Sequence, residues 1–487
     1  MKLRKILALM LTFVLAFSLA ACGSSKDSNS DKTETETPTE VSASEPAETE
    51  VEATEEATDM YPAFDMAGRT IKVGIWWDYF YTSDHTSIED DPGLTNTETA
   101  QMKLDNVRRI EEKYNVKIQF VNLGWDGIKE SINTSILAGT PECDIYLTDL
   151  QFGIPAVLNG LAQDLSKLDI GHCDINNDQV VMKPLEALGG TYLFSEQGLP
   201  VNGIYLGYNK TMIQDLGLED PQELYNNGEW TWDKFAELAT AATKDTDGDS
   251  NVDTYGYGGV FTDLVNGLVM NNGGEIAATG TEGLSSKETT EVFDFINKLY
   301  NEDKVARPWN TDDWNDNLLS WSTGKTLFWT AQAWSLKQEA DAAVSEGAPL
   351  AFEYSVVPYP TGPSGDASKI YSPVSGNWYI IPIGVSEPEK VYQVFEEFMN
   401  WHQGDTEYRD DPSWFESCFL TDEDIALALK CGETPKLDLW TSLGGSFDLG
   451  SDIFNPICVT KEKTVAQAVE SSKQKLQDDL DNTGFFK

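Results

Sequence analysis

Arg69-Thr70-Ile71-Lys72-Val73-Gly74-Ile75-Trp76-Trp77-Asp78 opens a regular rhythm that runs for eighty residues. Ile71, Val73 and Ile75 occupy alternate positions, the period-two pattern of a strand. Ala100, Leu104, Val107, Ile110 and Tyr114 then recur at helical spacing, and Asn115 follows where a helix can take a left-handed cap. Val116, Ile118 and Phe120 predict a second strand. Ile128, Ile132 and Ile136 predict a helix that stops at Gly139, and Ile145 and Leu147 a third strand. Strands joined by crossovers of this length run parallel, so the fold class is α/β. Ligands of such sheets gather outside the carboxyl ends of the strands. Here those ends carry Trp76-Trp77-Asp78, Asn122-Leu123-Gly124-Trp125 and Thr148-Asp149. Polar groups at three consecutive exits, with indoles at two of them, suit a polyhydroxylated ligand; rim packing against the loops is the alternative for each residue taken singly.

Composition narrows the classes. The 487 residues hold 34 Lys and Arg against 81 Asp and Glu, for a net charge of -47. Residues 1–23 carry +3 and residues 26–60 carry -10, which leaves -40 on 61–487. A body this acidic has no surface for nucleic acid, whose phosphates require basic patches. Six cysteines include Cys22; the other five, with only three His, match no zinc spacing. Buried free thiols are the expectation, with a Cys418–Cys431 disulfide as the alternative in an oxidising exterior.

Before the first strand the chain changes character. Lys2, Arg4 and Lys5 precede an apolar run from Ile6 to Ala21, too short for the ~20 residues of a membrane-spanning helix but suited to a secretory signal. Leu19-Ala20-Ala21-Cys22 resembles the lipobox of bacterial lipoproteins. That resemblance implies cleavage after residue 21, acylation of Cys22 and a location on the outer face of the cytoplasmic membrane. Residues 22–65 are rich in Ser, Thr, Glu, Pro and Ala up to Asp59, without an aromatic residue in that part, and read as a disordered acidic tether.

Further along, Leu137-Ala138-Gly139-Thr140-Pro141, Gly160-Leu161-Ala162-Gln163-Asp164-Leu165, Leu206-Gly207-Tyr208-Asn209-Lys210 and Thr231-Trp232-Asp233-Lys234-Phe235 follow one another. In order and spacing they resemble the family 1 extracellular solute-binding proteins, the lipoprotein receptors of ABC importers. Gly324-Lys325-Thr326, Gly376 to Pro382 and Thr464 to Leu480 extend the likeness to the carboxyl end. The resemblance implies a type II periplasmic-binding-protein-like fold, with two α/β lobes joined by a multi-strand hinge. It places lobe one at 66–202 plus 376–403 and lobe two at 205–372 plus 404–487. It also implies a monomer that captures a carbohydrate in the cleft, serves an importer's membrane subunits and needs no cofactor. Trp77, Asp78, Trp125, Asp149, Trp334, Asn377 and Trp378 are the ligand-binding candidates, followed by Glu196 and Tyr205 beside the first crossing. Indoles can stack on sugar faces while the carboxylates and amide bond the ring's edge. Trp232 and Trp401, on helix faces, are expected to pack.

Other motifs point elsewhere or nowhere. Asp245, Asp247, Asp249, Asn251 and Asp253 alternate as in a calcium loop, but Gly256 stands where an EF-hand places its bidentate Glu, so a structural calcium competes with a solvated turn. Gly324-Lys325-Thr326 lacks the glycine of a phosphate loop, since Leu319 stands there. No G-x-S-x-G elbow exists. A non-sugar solute such as a peptide, or a cell-surface glycosidase or carbohydrate-adhesion protein, are the rival readings. Capping boxes are expected at Ser386–Glu389 and Thr464–Gln467.

Overall fold

Two mixed sheets, each covered by helices, organise the body of the protein, which forms one structural unit from Ala63 to Lys487. The computed structural model describes residues 60–170, 189–195, 198–311, 316, 321–345 and 347–483. The signal segment, Cys22, Cys173 and Glu196 lie outside the described residues. Among those described, no helix is long and apolar enough to cross a membrane.

The first sheet contains β1 (Arg69–Ile75), β2 (Val116–Asn122) and β3 (Ile145–Thr148), with β2 and β3 both parallel to β1. The helix Thr97–Tyr114 makes the first crossover and ends, as its sequence implies, with Asn115 at φ 49°. The second crossover is less regular than its spacing predicts: an α-helix over Gly124–Ser131 widens into a π-turn at Ile132–Ile136. Even so, Ile128, Ile132 and Ile136 are all buried. Ile71, Val73, Val107, Ile110, Ile118 and Phe395 share the core between this sheet and its helices.

The second sheet has the order β5-β6-β4-β7, from Tyr255–Tyr257, Thr326–Ala331, Tyr205–Asn209 and Tyr354–Val357. The central strand β4 runs antiparallel to both of its neighbours and is buried along its whole length. Thr231 caps the helix Trp232–Ala242 by accepting from the Lys234 amide, and Trp232 stacks on Phe295 at 4.6 Å.

The chain crosses between the sheets several times. After the second sheet it returns through β8 (Ser372–Pro373) to β9 (Trp378–Ile380), which joins the first sheet antiparallel to β3. β8 pairs in parallel with β10 (Pro435–Lys436), while the Ser372 hydroxyl accepts from the Ile204 amide at 2.6 Å. Three crossing segments thus lie side by side. A side-chain carbon at Gly432 would collide with the Pro200 carbonyl, so this crossing requires glycine. A further passage, after the helix Pro388–Met399, is anchored on the first sheet's side by Asn96 donating to Asp411 and Tyr408 donating to Glu98.

One expectation needs correction, and two hold. Ser386 does not form a capping box: Glu387 takes the N-cap position at φ 51° without a side-chain bond, and the Ser386 carbonyl accepts from Arg69. Proline at 388 starts that helix instead. Thr464 and Gln467 do form the reciprocal pair. Cys418 and Cys431 are separate buried thiols, as are Cys143 and Cys458, and burial pushes each up to about 12.

Candidate functional site

The carboxyl ends of β1, β2 and β3 open onto a cleft of about 930 Å³ whose far side is built from the second sheet's loops and from the crossing segments. At the β1 exit Trp76 meets Trp77, Trp125 and Phe152 edge to face, with ring centroids 5.3, 5.1 and 5.7 Å away. Aromatic rings prefer this arrangement because the positive edge of one faces the negative face of the next. Trp125 opens the helix after β2, where Gly124 adopts φ 67°, and the Lys129 ammonium lies 4.8 Å over its ring.

At the β3 exit Asp149 caps the helix Leu150–Leu158, accepting from the Gln151 and Phe152 amides at 2.8 and 3.3 Å. Its carboxyl is nevertheless pushed up to about 6, because desolvation in the cleft outweighs those two bonds and the Lys129 charge.

Opposite stand Trp334, near the start of the helix Ala333–Ser345, and Trp414, on the short helix Ser413–Glu416. Four cleft indoles are half-exposed: Trp77 at 38%, Trp125 at 39%, Trp414 at 40% and Trp334 at 52%. Trp378 also lines the cleft, though it is only 3% exposed, pinned by the Thr148 hydroxyl donating to its carbonyl. Gly376 precedes it at φ 153°, where any side chain would crowd Asn202 and the Trp378 ring. Ser375 donates to Gln332 at 2.6 Å across the crossing. The floor is formed by Asp263 and Asn266 of the helix Phe261–Asn271, together with Lys436 and Asp438.

Of the nine candidates read from the sequence, Trp77, Trp125, Asp149, Trp334, Asn377 and Trp378 line this one cleft. Asp78 does not; it is exposed and accepts from Asn122 at 3.0 Å. Tyr205 does not either: it is 1% exposed inside the second sheet, its ring 6.3 Å from Phe419. Glu196 lies outside the described residues. The sequence placed Trp76 at the β1 exit without making it a candidate, and Trp414, Asp263 and Asp438 were missed. Trp414 carried the same signal as the others, an indole in a Pro-Ser loop beyond a crossing, whereas nothing marks Asp263 among the acids of helical first turns.

Asp245, Asp247 and Asp253 bring carboxylate oxygens within 4.8 Å of one another, a set that could hold a cation. Hydrogen bonds already order the loop: Asp253 accepts from the Thr246 amide and hydroxyl, and Asp245 from the Gly248 and Ser250 amides. Asp249 instead accepts from Asn251.

The family model described as bacterial extracellular solute-binding protein matches residues 94–406, well over half of the chain. The chain belongs to that family. No curated protein matches the sequence of this solute-binding protein. Among solved structures it resembles UgpB from Mycobacterium tuberculosis in complex with glycerophosphocholine, at 18% identity and TM-score 0.57, covering 80% of this chain and 96% of that one. It also resembles a substrate-binding protein from Listeria monocytogenes in complex with cycloalternan, at 14% identity and TM-score 0.57, over 84% and 98% of the two chains. The maltotriose-bound MalE domain from Bdellovibrio bacteriovorus is a third, at 14% identity and TM-score 0.53, over 85% and 98%. These likenesses establish the fold: the solute-binding protein is of the type II periplasmic-binding-protein-like class, with mixed α/β sheets on either side of a cleft.

Proposed function

We propose that this protein captures a carbohydrate, of oligosaccharide length, between two lobes and presents it to the membrane subunits of an ABC importer, without altering it. The observation that carries the reading is four half-exposed indoles converging from both sides on one cavity of about 930 Å³. Flat apolar faces with amides and carboxylates between them suit rings that are apolar above and below and polar around the edge. The sugar-bound relatives point the same way.

In this reading lobe one comprises 66–202 and 376–403, and lobe two 205–372 and 404–487. The open form binds with one lobe, and contacts that exist only in the closed form bias the hinge toward closure. Signal cleavage and acylation at Cys22 hold the monomer to the outer face of the cytoplasmic membrane by the 22–65 tether. A calcium ion at Asp245, Asp247 and Asp253, with oxygens supplied from elsewhere, is a proposal of the same standing.

A thermal-shift screen of the mature chain against neutral oligosaccharides tests the function. A ligand present at one hundred times its dissociation constant adds about 2.7 kcal/mol of stability. The reading requires such a shift with the sugar recovered intact. Released monosaccharide would make the protein an enzyme, and a shift only with peptides would make it a receptor of another class.

A further inference from the structure

Three carboxylates and one ammonium face the cleft: Asp149, Asp263, Asp438 and Lys436. All but one have partners within the protein. Asp438 accepts from the Ile276, Ala277 and Trp440 amides at 2.6, 2.8 and 3.4 Å. Asp149 caps its helix and feels the Lys129 charge. Lys436 donates to the Gly274 carbonyl at 3.1 Å and lies 5.5 Å over the Tyr371 ring.

Asp263 makes no hydrogen bond or ion pair with any described residue, yet it sits on the cleft floor in the first turn of the helix Phe261–Asn271. Asn266, one turn on, already accepts from the Trp440 indole. The titratable groups that sense Asp263 from neighbouring strands and loops are Tyr257 and Tyr359, hydroxyls that burial holds neutral.

A carboxylate that lines a cleft without a partner is satisfied more fully by a cation than by a hydroxyl, because a cation contributes charge as well as a hydrogen bond. The indole walls favour the same guest, since their faces carry negative potential. We propose that the cleft selects a carbohydrate bearing a protonated amine, with the ammonium paired to Asp263. This rests on the carbohydrate reading above and specifies the class within it.

Calorimetry on the mature chain at pH 7 tests it, with glucosamine oligomers as the amine-bearing probe and the N-acetylated oligomers and maltotriose as uncharged ones. The amine form should bind about tenfold or more tightly than the acetylated form, the size of one charge-assisted hydrogen bond. Asp263→Asn should bring that ratio close to one, and Asp263→Glu should restore it in part. Equal affinity of the wild type for charged and uncharged oligomers overturns the proposal without recourse to any variant, and leaves the carbohydrate reading standing. An amine preference that survives in Asp263→Asn overturns it as well. Binding of none of the probes overturns both readings together.

Discussion

On the side of the first sheet, Trp76 is locked edge to face with Trp77, Trp125 and Phe152, and Asp149 is tied into the start of a helix. On the side of the second, Trp334 and Trp414 stand half-exposed without an aromatic neighbour among the described residues, and Asp263 lacks any polar partner among them. The first wall's indoles brace one another, and its carboxylate has partners within the wall. The second pairs Asp438 and Lys436 internally but leaves Trp334, Trp414 and Asp263 open to a guest, so these three residues should contribute to binding with little return in stability. In the open–closed equilibrium proposed above, the second set would be satisfied only when the walls approach, which supplies the differential contact that closure needs.

The largest expected effect breaks the walls apart by substitution. Trp76→Ala should cost about 3 kcal/mol of stability, as truncation of packed aromatics does, and lower affinity with it, because the platform loses its centre. Trp334→Ala should weaken sugar binding by roughly ten- to a hundredfold while changing stability by less than about 0.5 kcal/mol, as exposed positions do. Urea melts and calorimetry on both variants read this out. Equal destabilisation by the two substitutions would erase the distinction between the walls.

A smaller effect sharpens the comparison through pH. The Asp149 and Asp263 carboxyls both stand at about 6, against an ordinary value of 3.8. Between those values the native state holds protons that the unfolded chain has released, so these two groups make stability fall as pH rises from about 4 to about 6. Asp263→Asn removes its share and should raise stability at pH 7.5 by roughly 1–2 kcal/mol, with no gain at pH 4. Asp149→Asn should gain by a similar amount, because its carboxyl is raised to the same value with the amide bonds and the Lys129 charge already acting on it. Urea melts of both variants at the two pH values check the size of the two gains.

Much of the first sheet was legible, because β1, β2, β3 and the first crossover helix announce themselves by period and cap, whereas β9 and the π-turn at Ile132–Ile136 do not. Ile71, Val73 and Ile75 are buried in β1, Asn115 does cap its helix, and the Thr464–Gln467 pair forms. Ser386 misled because a capping pattern reports only local preference. Pro388, within the pattern, and the Arg69 guanidinium, from outside it, settle that turn.

The site was legible where it lies at strand ends and hidden where it does not. Trp77, Trp125 and Asp149 follow from the rule that ligands gather outside carboxyl ends. Tyr205 begins a strand buried on both faces, so alternation could not say which way its ring turns. Asp263 sits at a helical position whose partner faces come from remote segments, β10 among them, and no local pattern encodes those.

Small-angle scattering on the mature chain, with and without the tightest-binding sugar, tests most directly whether the two walls close on a guest. The account predicts a smaller radius of gyration in the presence of the sugar, and the same radius as the free protein when Trp334→Ala is measured at a sugar concentration that saturates only the wild type. A radius unchanged by a sugar that demonstrably binds would contradict it.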